Sequence, residues 1–290
     1  MLLYGSEVWG FQDITQIEIL YRKFIKCLLR VNSATPNVMI YGETSTYPVE
    51  IHIVTRMIVF YMRIVNGKQS KLSAMMLNLL KKKTLLDESF ESKWISLVQN
   101  QLEHLGMNNI WIYSGNGLRT DHVKAMVKLR LKDNFKQKWF EDMGVHEFCD
   151  IYKVLKLEWG FEKYLTALSP FHRIALAKWR CRSNYLPISK NRWVIDDSIL
   201  CPFCHNDDYI GDEIHYLLKC NFFQEERSRY IGNIGDGNDQ QNYIRIFHSN
   251  DIEVVKKLSC FVHYIMSIFE QSDKWDISLN SSGYSLFDYE

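Results

Sequence analysis

Between positions 201 and 220 the chain reads Cys-Pro-Phe-Cys, ten residues, His, four residues, Cys. A Cys-x2-Cys turn lets two thiolates chelate one ion from a tight backbone loop, and a His and a Cys a short distance on complete a tetrahedron. Cys201, Cys204, His215 and Cys220 are therefore read as ligands of one zinc ion, the metal that such N and S donors favour in a cell. With four protein ligands the shell is closed, so the ion is structural and offers no position to water or substrate. His205 is the alternative fourth ligand, but it directly follows Cys204 and its ring is awkward to aim at the same ion. Chance clustering is the competing explanation. Gly211-Asp212-Glu213 reads as a helix start that puts His215 in the first turns and Cys220 near the end.

Composition sets the frame around this cluster. Hydrophobic residues make up 47% of the 290 positions and charged residues 24%, values of a globular chain long enough for two units with a core each. The formal net charge of +1 gives no global basic field, so any case for nucleic acid has to come from local clusters. Apolar runs such as residues 51–65 are broken by His52, Arg56 and Arg63, short of the roughly 20 uncharged residues of a membrane span. The first ten residues lack the basic start and apolar stretch of a secretory signal, which predicts a reducing, intracellular setting. The other cysteines, Cys27, Cys149, Cys181 and Cys260, lie in apolar or helical contexts and are expected to act as small hydrophobes, not as disulfides.

Periodicity predicts helices almost throughout. Ile17, Leu20, Tyr21, Phe24, Leu28 and Val31 recur on one face of a first helix, with Arg22, Lys23, Lys26 and Arg30 opposite. Thr35-Pro36 and Tyr47-Pro48 are helix starts with proline where a missing N–H costs nothing, and Ile51, Val54, Ile58, Tyr61, Met62 and Val65 carry an amphipathic helix to Asn66-Gly67. A helix over residues 71–80 ends in Lys81-Lys82-Lys83, cations suited to the negative end of the helix dipole. Further helices are expected over 90–105, 121–143, 170–184, 243–248 and 252–271. The turn-rich 113–117 loop is the expected domain boundary.

Upstream of the cysteines, Arg173, Lys178, Arg180, Arg182, Lys190 and Arg192 are interleaved with Trp179 and Trp193. Cations among aromatics can neutralise phosphates and stack on unpaired bases. The alternative is a solvated basic helix with its tryptophans in the core.

Arg180-Cys181-Arg182, Leu186-Pro187, Arg192, the Cys-x2-Cys pair, Gly-Asp-Glu-x-His at 211–215 and Leu-Leu-Lys-Cys at 217–220 resemble the zinc-binding C-terminal segment of LINE-type (non-LTR) retrotransposon reverse transcriptases. Leu-Tyr-Gly-Ser-Glu-Val-Trp-Gly at 3–10, with the basic helix and two Pro-marked helix starts that follow, is similar to the stretch that leaves the polymerase palm and enters the thumb. The resemblance implies a mainly α chain. A thumb-like helical bundle over 1–115 would be followed by a helical region over 116–275, with the zinc knuckle within about 170–230; the Ser- and acid-rich composition of 276–290 itself predicts a flexible tail. The resemblance also makes Arg22, Lys23, Lys26 and Arg30 candidates for phosphate contact, with RNA or DNA as partner and the nucleus as a setting.

A polymerase in addition needs paired carboxylates on a hairpin to hold two metal ions. The family places them before the thumb, upstream of where this chain begins. Asp196-Asp197 and Asp207-Asp208 are the only Asp pairs, and they sit in polar loops outside any strand-turn-strand pattern. The expectation is a reverse transcriptase remnant that binds nucleic acid and is not an enzyme, with a zinc-stabilised structural or interaction protein as the alternative.

Overall fold

The computed structural model describes residues 3–68, 70–86, 92–115, 117–190, 199–204, 209–232 and 236–281. Its longer helices are α1 (Thr15–Leu29), α2 (Asn37–Thr44), α3 (Val49–Val65), α4 (Leu72–Leu86) and α5 (Lys93–His104). They are followed by α6 (Thr120–Val145), α7 (Asp150–Leu155), α8 (Pro170–Arg180), α9 (Gln224–Tyr230), α10 (Asp239–Phe247) and α11 (Ile252–Ser281). Among the described residues the only β pairing is an isolated antiparallel bridge between Leu200 and Ile210. The chain is mainly α. None of its described helices is long and apolar enough to cross a membrane.

The chain divides into two compact units, Met1–Phe24 with Thr46–Asp142, and Ile25–Ser45 with Met143–Glu290. The 113–117 loop therefore lies inside the first unit. Its Gly115, at φ 68°, packs so closely on Met62 and Val65 that a Cβ would stand 3.0–3.1 Å from them. The turn residues mark a tight chain reversal over the core, and turn chemistry is the same whether the next element returns to that core or leaves it.

In the first unit α3 is the central element. Ile53, Val54, Met57, Ile58, Tyr61 and Met62 are buried against Leu77 of α4, Ile95, Val98 and Leu102 of α5, and Val123 and Val127 of α6. The exposed positions of α3 include His52, Arg56 and Arg63. Its first turn is held by Glu18, whose Oε2 accepts the Val49 N–H at 2.8 Å, a carboxylate at the positive end of the helix dipole. The three lysines expected to close α4 lie inside it. Lys81 donates to the Tyr61 hydroxyl at 2.9 Å and sits 4.0 Å from the Trp111 ring centroid, and burial lowers the pKa of its ammonium.

Helix α1 departs from its predicted orientation. Leu20, Phe24 and Leu28 are more than half exposed, while Ile25 and Leu29 are buried. Of the predicted face, Ile17 and Tyr21 do pack against the core of the first unit, so the helix is turned toward the row that runs through them to Ile25 and Leu29, away from Leu20, Phe24 and Leu28. Near the C-terminus α11 continues through residues 276–281, where a flexible tail was expected; residues 282–290 lie outside the described residues.

The second unit packs α8 against α11, and its core includes Trp179, Tyr152, Leu176, Tyr243 and Phe261. The Trp179 indole N–H donates to the Tyr243 hydroxyl at 3.0 Å. Four charges are sealed into this unit. Arg180 Nε lies 3.1 Å from both carboxylate oxygens of Glu43, and its Nη2 is 3.0 Å from Glu43 and 3.2 Å from Glu162. Lys156 closes the set on Glu162, and the Tyr164 hydroxyl donates to Glu43. Two cations balance two carboxylates, which is what makes their burial tolerable. Arg180→Ala would leave Glu43, which has no exposed surface, without its main partner. It should cost about 3–5 kcal/mol in urea unfolding followed by tryptophan fluorescence, whereas breaking the exposed Lys153–Asp150 pair with Lys153→Ala should leave the midpoint unmoved.

Candidate metal centre

The four sequence-predicted ligands are brought together. Cys201, Cys204, His215 and Cys220 place one donor atom each within 4.8 Å of all the others, a group that could hold a metal ion. Cys201 and Cys220 have their sulfurs 3.8 Å apart, Cys204 and Cys220 3.6 Å apart, and Cys204 Sγ is 3.4 Å from His215 Nε2. Tetrahedral corners at zinc–ligand bond lengths stand about 3.8 Å apart for two sulfurs and about 3.5 Å for sulfur and nitrogen. The spacing fits that donor set. His205 lies outside the described residues, as do Arg192, Trp193 and both Asp pairs.

Local structure explains how the sequence achieves this. The Leu200–Ile210 bridge, reinforced by Cys201 N–H to Tyr209 O at 2.8 Å and Gly211 N–H to Ile199 O at 2.7 Å, closes the loop that carries the first two cysteines. Asp212 then caps the next turn, its Oδ1 accepting the His215 N–H at 2.7 Å. The turn His215–Lys219 is a π-helix, wider than an α-helix, and it ends with Cys220 N–H bonded to His215 O at 2.8 Å. That i to i+5 closure brings His215 and Cys220 back to one side. Single π turns are frequent at functional sites, and a spacing of four residues between His and Cys is the only trace of it in the sequence.

Electrostatics also favours a cation here. Cys201 and Cys220 are almost fully buried. The hydrogen bond between Cys201 and Cys220 lowers the pKa of the Cys201 thiol, while the same bond and then burial raise that of Cys220. The opposite shifts mean that ionising one thiol opposes ionising the other, an opposition that a positive ion between the sulfurs would relieve. Three thiolates and a neutral imidazole around a divalent ion leave one net negative charge. Arg227 answers it from below. Its guanidinium donates to Leu217 O at 2.9 Å and Cys220 O at 2.6 Å; burial lowers its pKa, opposed by the charges of Cys220 and Cys204.

Aromatic rings surround the cluster. Tyr209 stacks on His215 at 5.2 Å, and Phe203 on Phe222 at 4.2 Å. Phe269 of α11 meets both Phe203 and Tyr216. Comparison with known proteins finds no matching family model, no similar curated protein and no similar solved structure. The site is therefore read from its own chemistry.

The residues that carry the sequence motif turn out to frame the cluster. Arg182 and Asn184 both bind the fully buried Glu213, at 3.3 Å and 3.1 Å. Gly211 is pressed against Pro187 and Tyr216, where a Cβ would approach to 2.9 Å and 2.5 Å. Two of the expected phosphate contacts are thereby removed. Arg180 is buried on Glu43 and Glu162, and Arg182 is nearly buried on Glu213, because a chain that buries these carboxylates must supply cations to them. Lys26 donates to Ser33 O at 2.7 Å. Arg22 and Lys178 are half-buried, while Lys23, Arg30, Arg173 and Lys190 are exposed.

Cys201→Ser and Cys220→Ser should each abolish stoichiometric metal binding, read by elemental analysis of the purified chain. Cys27→Ser, at an exposed cysteine outside the cluster, should leave the metal content unchanged.

Proposed function

We propose that this chain is the thumb and C-terminal part of a LINE-type reverse transcriptase, in which one structural zinc ion on Cys201, Cys204, His215 and Cys220 anchors a unit that binds RNA or DNA. The observation that carries this reading is the joint fit of ligands and frame. The four donors have zinc spacing, and four of the motif residues outside the ligand set pair beside them, Arg182 with Glu213 and Pro187 with Gly211. A shell closed by protein atoms gives the ion a folding role, worth roughly 10–16 kcal/mol of apparent binding free energy in small modules. No polymerase step is assigned to residues of this chain.

A second reading, a zinc-stabilised structural or interaction protein, is favoured by one specific observation. Arg180 and Arg182, at the centre of the basic stretch, are spent on buried carboxylates. Nucleic-acid binding separates the two. With a labelled RNA or DNA oligonucleotide, affinity should fall steeply with salt, the logarithmic slope reporting about 0.7–0.9 per phosphate contacted. Failure to bind at low ionic strength would select the second reading. Primer extension with magnesium should be absent, and robust extension would overturn both.

A further inference from the structure

Helices α3 and α6 of the first unit flank a groove of about 460 Å³. His52, Arg56 and Arg63 line it from α3, and Lys124 and Lys128 from α6, with Glu7 as the single carboxylate among the lining residues. We propose that this groove binds the phosphodiester backbone of a nucleic-acid strand. The inference rests on the nucleic-acid reading above but places the contact on residues which that reading did not include.

Charge balance is the first support. Four permanent cations face one carboxylate, and that carboxylate is only 4.0 Å from Arg56 in a pair exposed to solvent. Outside the lining, Glu18, whose charge raises the His52 pKa, accepts the Val49 N–H, and Asp133, next to Lys132 on α6, pairs with Lys136 at 3.2 Å. The groups feel each other. Burial, then Lys128, Lys132 and Arg56, lower the pKa of the His52 imidazole, and burial, then Lys128 and Lys136, do the same for Lys132. Repelling cations held on rigid helices form a site that an anion relieves, in contrast to the self-neutralised set around Arg180 in the second unit.

Shape is the second support, and it selects the ligand. Lys124, Lys128 and Lys132 repeat at one helical turn along α6, so the row extends for about 12 Å, longer than a single phosphate requires. The second wall adds Arg56 and Arg63. A linear polyanion matches a groove with cations along both walls, and low-dielectric walls such as Val59 and Phe60, which also line the groove, strengthen the field inside it. At the end marked by Lys132, whose ammonium lies 4.4 Å from the Tyr47 ring centroid, Tyr47 packs edge-on against Phe135. The sequence hid this site because its cations come from two helices about 70 residues apart, within a chain whose net charge is only +1.

Fluorescence anisotropy with a labelled single-stranded oligonucleotide and the full chain tests the proposal. Lys124→Glu/Lys128→Glu should weaken binding by at least about tenfold and lower the salt slope by about two. Lys153→Glu/Lys256→Glu, an equal charge change in the second unit, should have a small effect. Far-UV CD verifies folding, and Lys124→Gln/Lys128→Gln replaces the reversal if it misfolds. Equal losses in both charge-reversed variants would overturn the groove. So would binding that survives in the groove variant but is lost in Cys201→Ser, an outcome that leaves the nucleic-acid reading standing. An absence of wild-type binding would remove both. Lys124- and Lys128-dependent binding to phosphatidylserine vesicles without oligonucleotide binding would show a lipid headgroup site and overturn the assignment to nucleic acid.

Discussion

Three sulfurs and an imidazole nitrogen within 4.8 Å of one another are an arrangement that could hold a cation. Without one, a second thiolate is opposed by the first. With one, the same crowding becomes a tetrahedral shell, and the surrounding features acquire a common purpose. The Leu200–Ile210 bridge fixes the Cys-x2-Cys loop, Asp212 starts the π turn, and Arg227 offsets the residual negative charge while capping carbonyls of that turn. Phe269 ties the cluster to α11, so an ion held by residues 201–220 also steadies the longest helix of its unit.

The fate of the cations follows a second constraint. A buried carboxylate demands a buried partner, and the buried Glu43 and Glu213, with the half-buried Glu162, take Arg180, Arg182 and Lys156 out of solvent. These cations are internal to the fold. The lysines and arginines along the groove between α3 and α6 face one carboxylate instead. The distinction between a cation that stabilises a fold and one that is open to a ligand lies in the count of opposite charges within reach. Basic residues in sequence do not carry that information.

The clustering of the three cysteines with His215 and the helical class were legible because both rest on local spacing. Cys-x2-Cys, and His and Cys five positions apart, describe one short loop and one turn. Helix periodicity likewise needs only neighbours. What escaped the sequence was long-range pairing. The apolar face of α1 was assigned to Ile17, Leu20, Tyr21, Phe24, Leu28 and Val31; Ile17 and Tyr21 do pack on the core, but the row continues through Ile25 and Leu29 instead of Phe24 and Leu28, a choice that only the positions of other elements decide. Arg180 looked like a phosphate contact because Glu43, 137 residues away, is invisible from its local context. Gly115 looked like a linker because its packing on Met62 and Val65 is equally remote. The Trp179 alternative, a core residue bonded to Tyr243, is the one that the fold adopts.

The central claim is that the four ligands close a shell around one zinc ion. Zinc X-ray absorption of the purified full chain tests it at the level of bond lengths. The account predicts three sulfurs at about 2.3 Å and one nitrogen at about 2.0–2.1 Å, with no additional oxygen. A first shell dominated by oxygen and nitrogen, or one with fewer than three sulfurs, would contradict it.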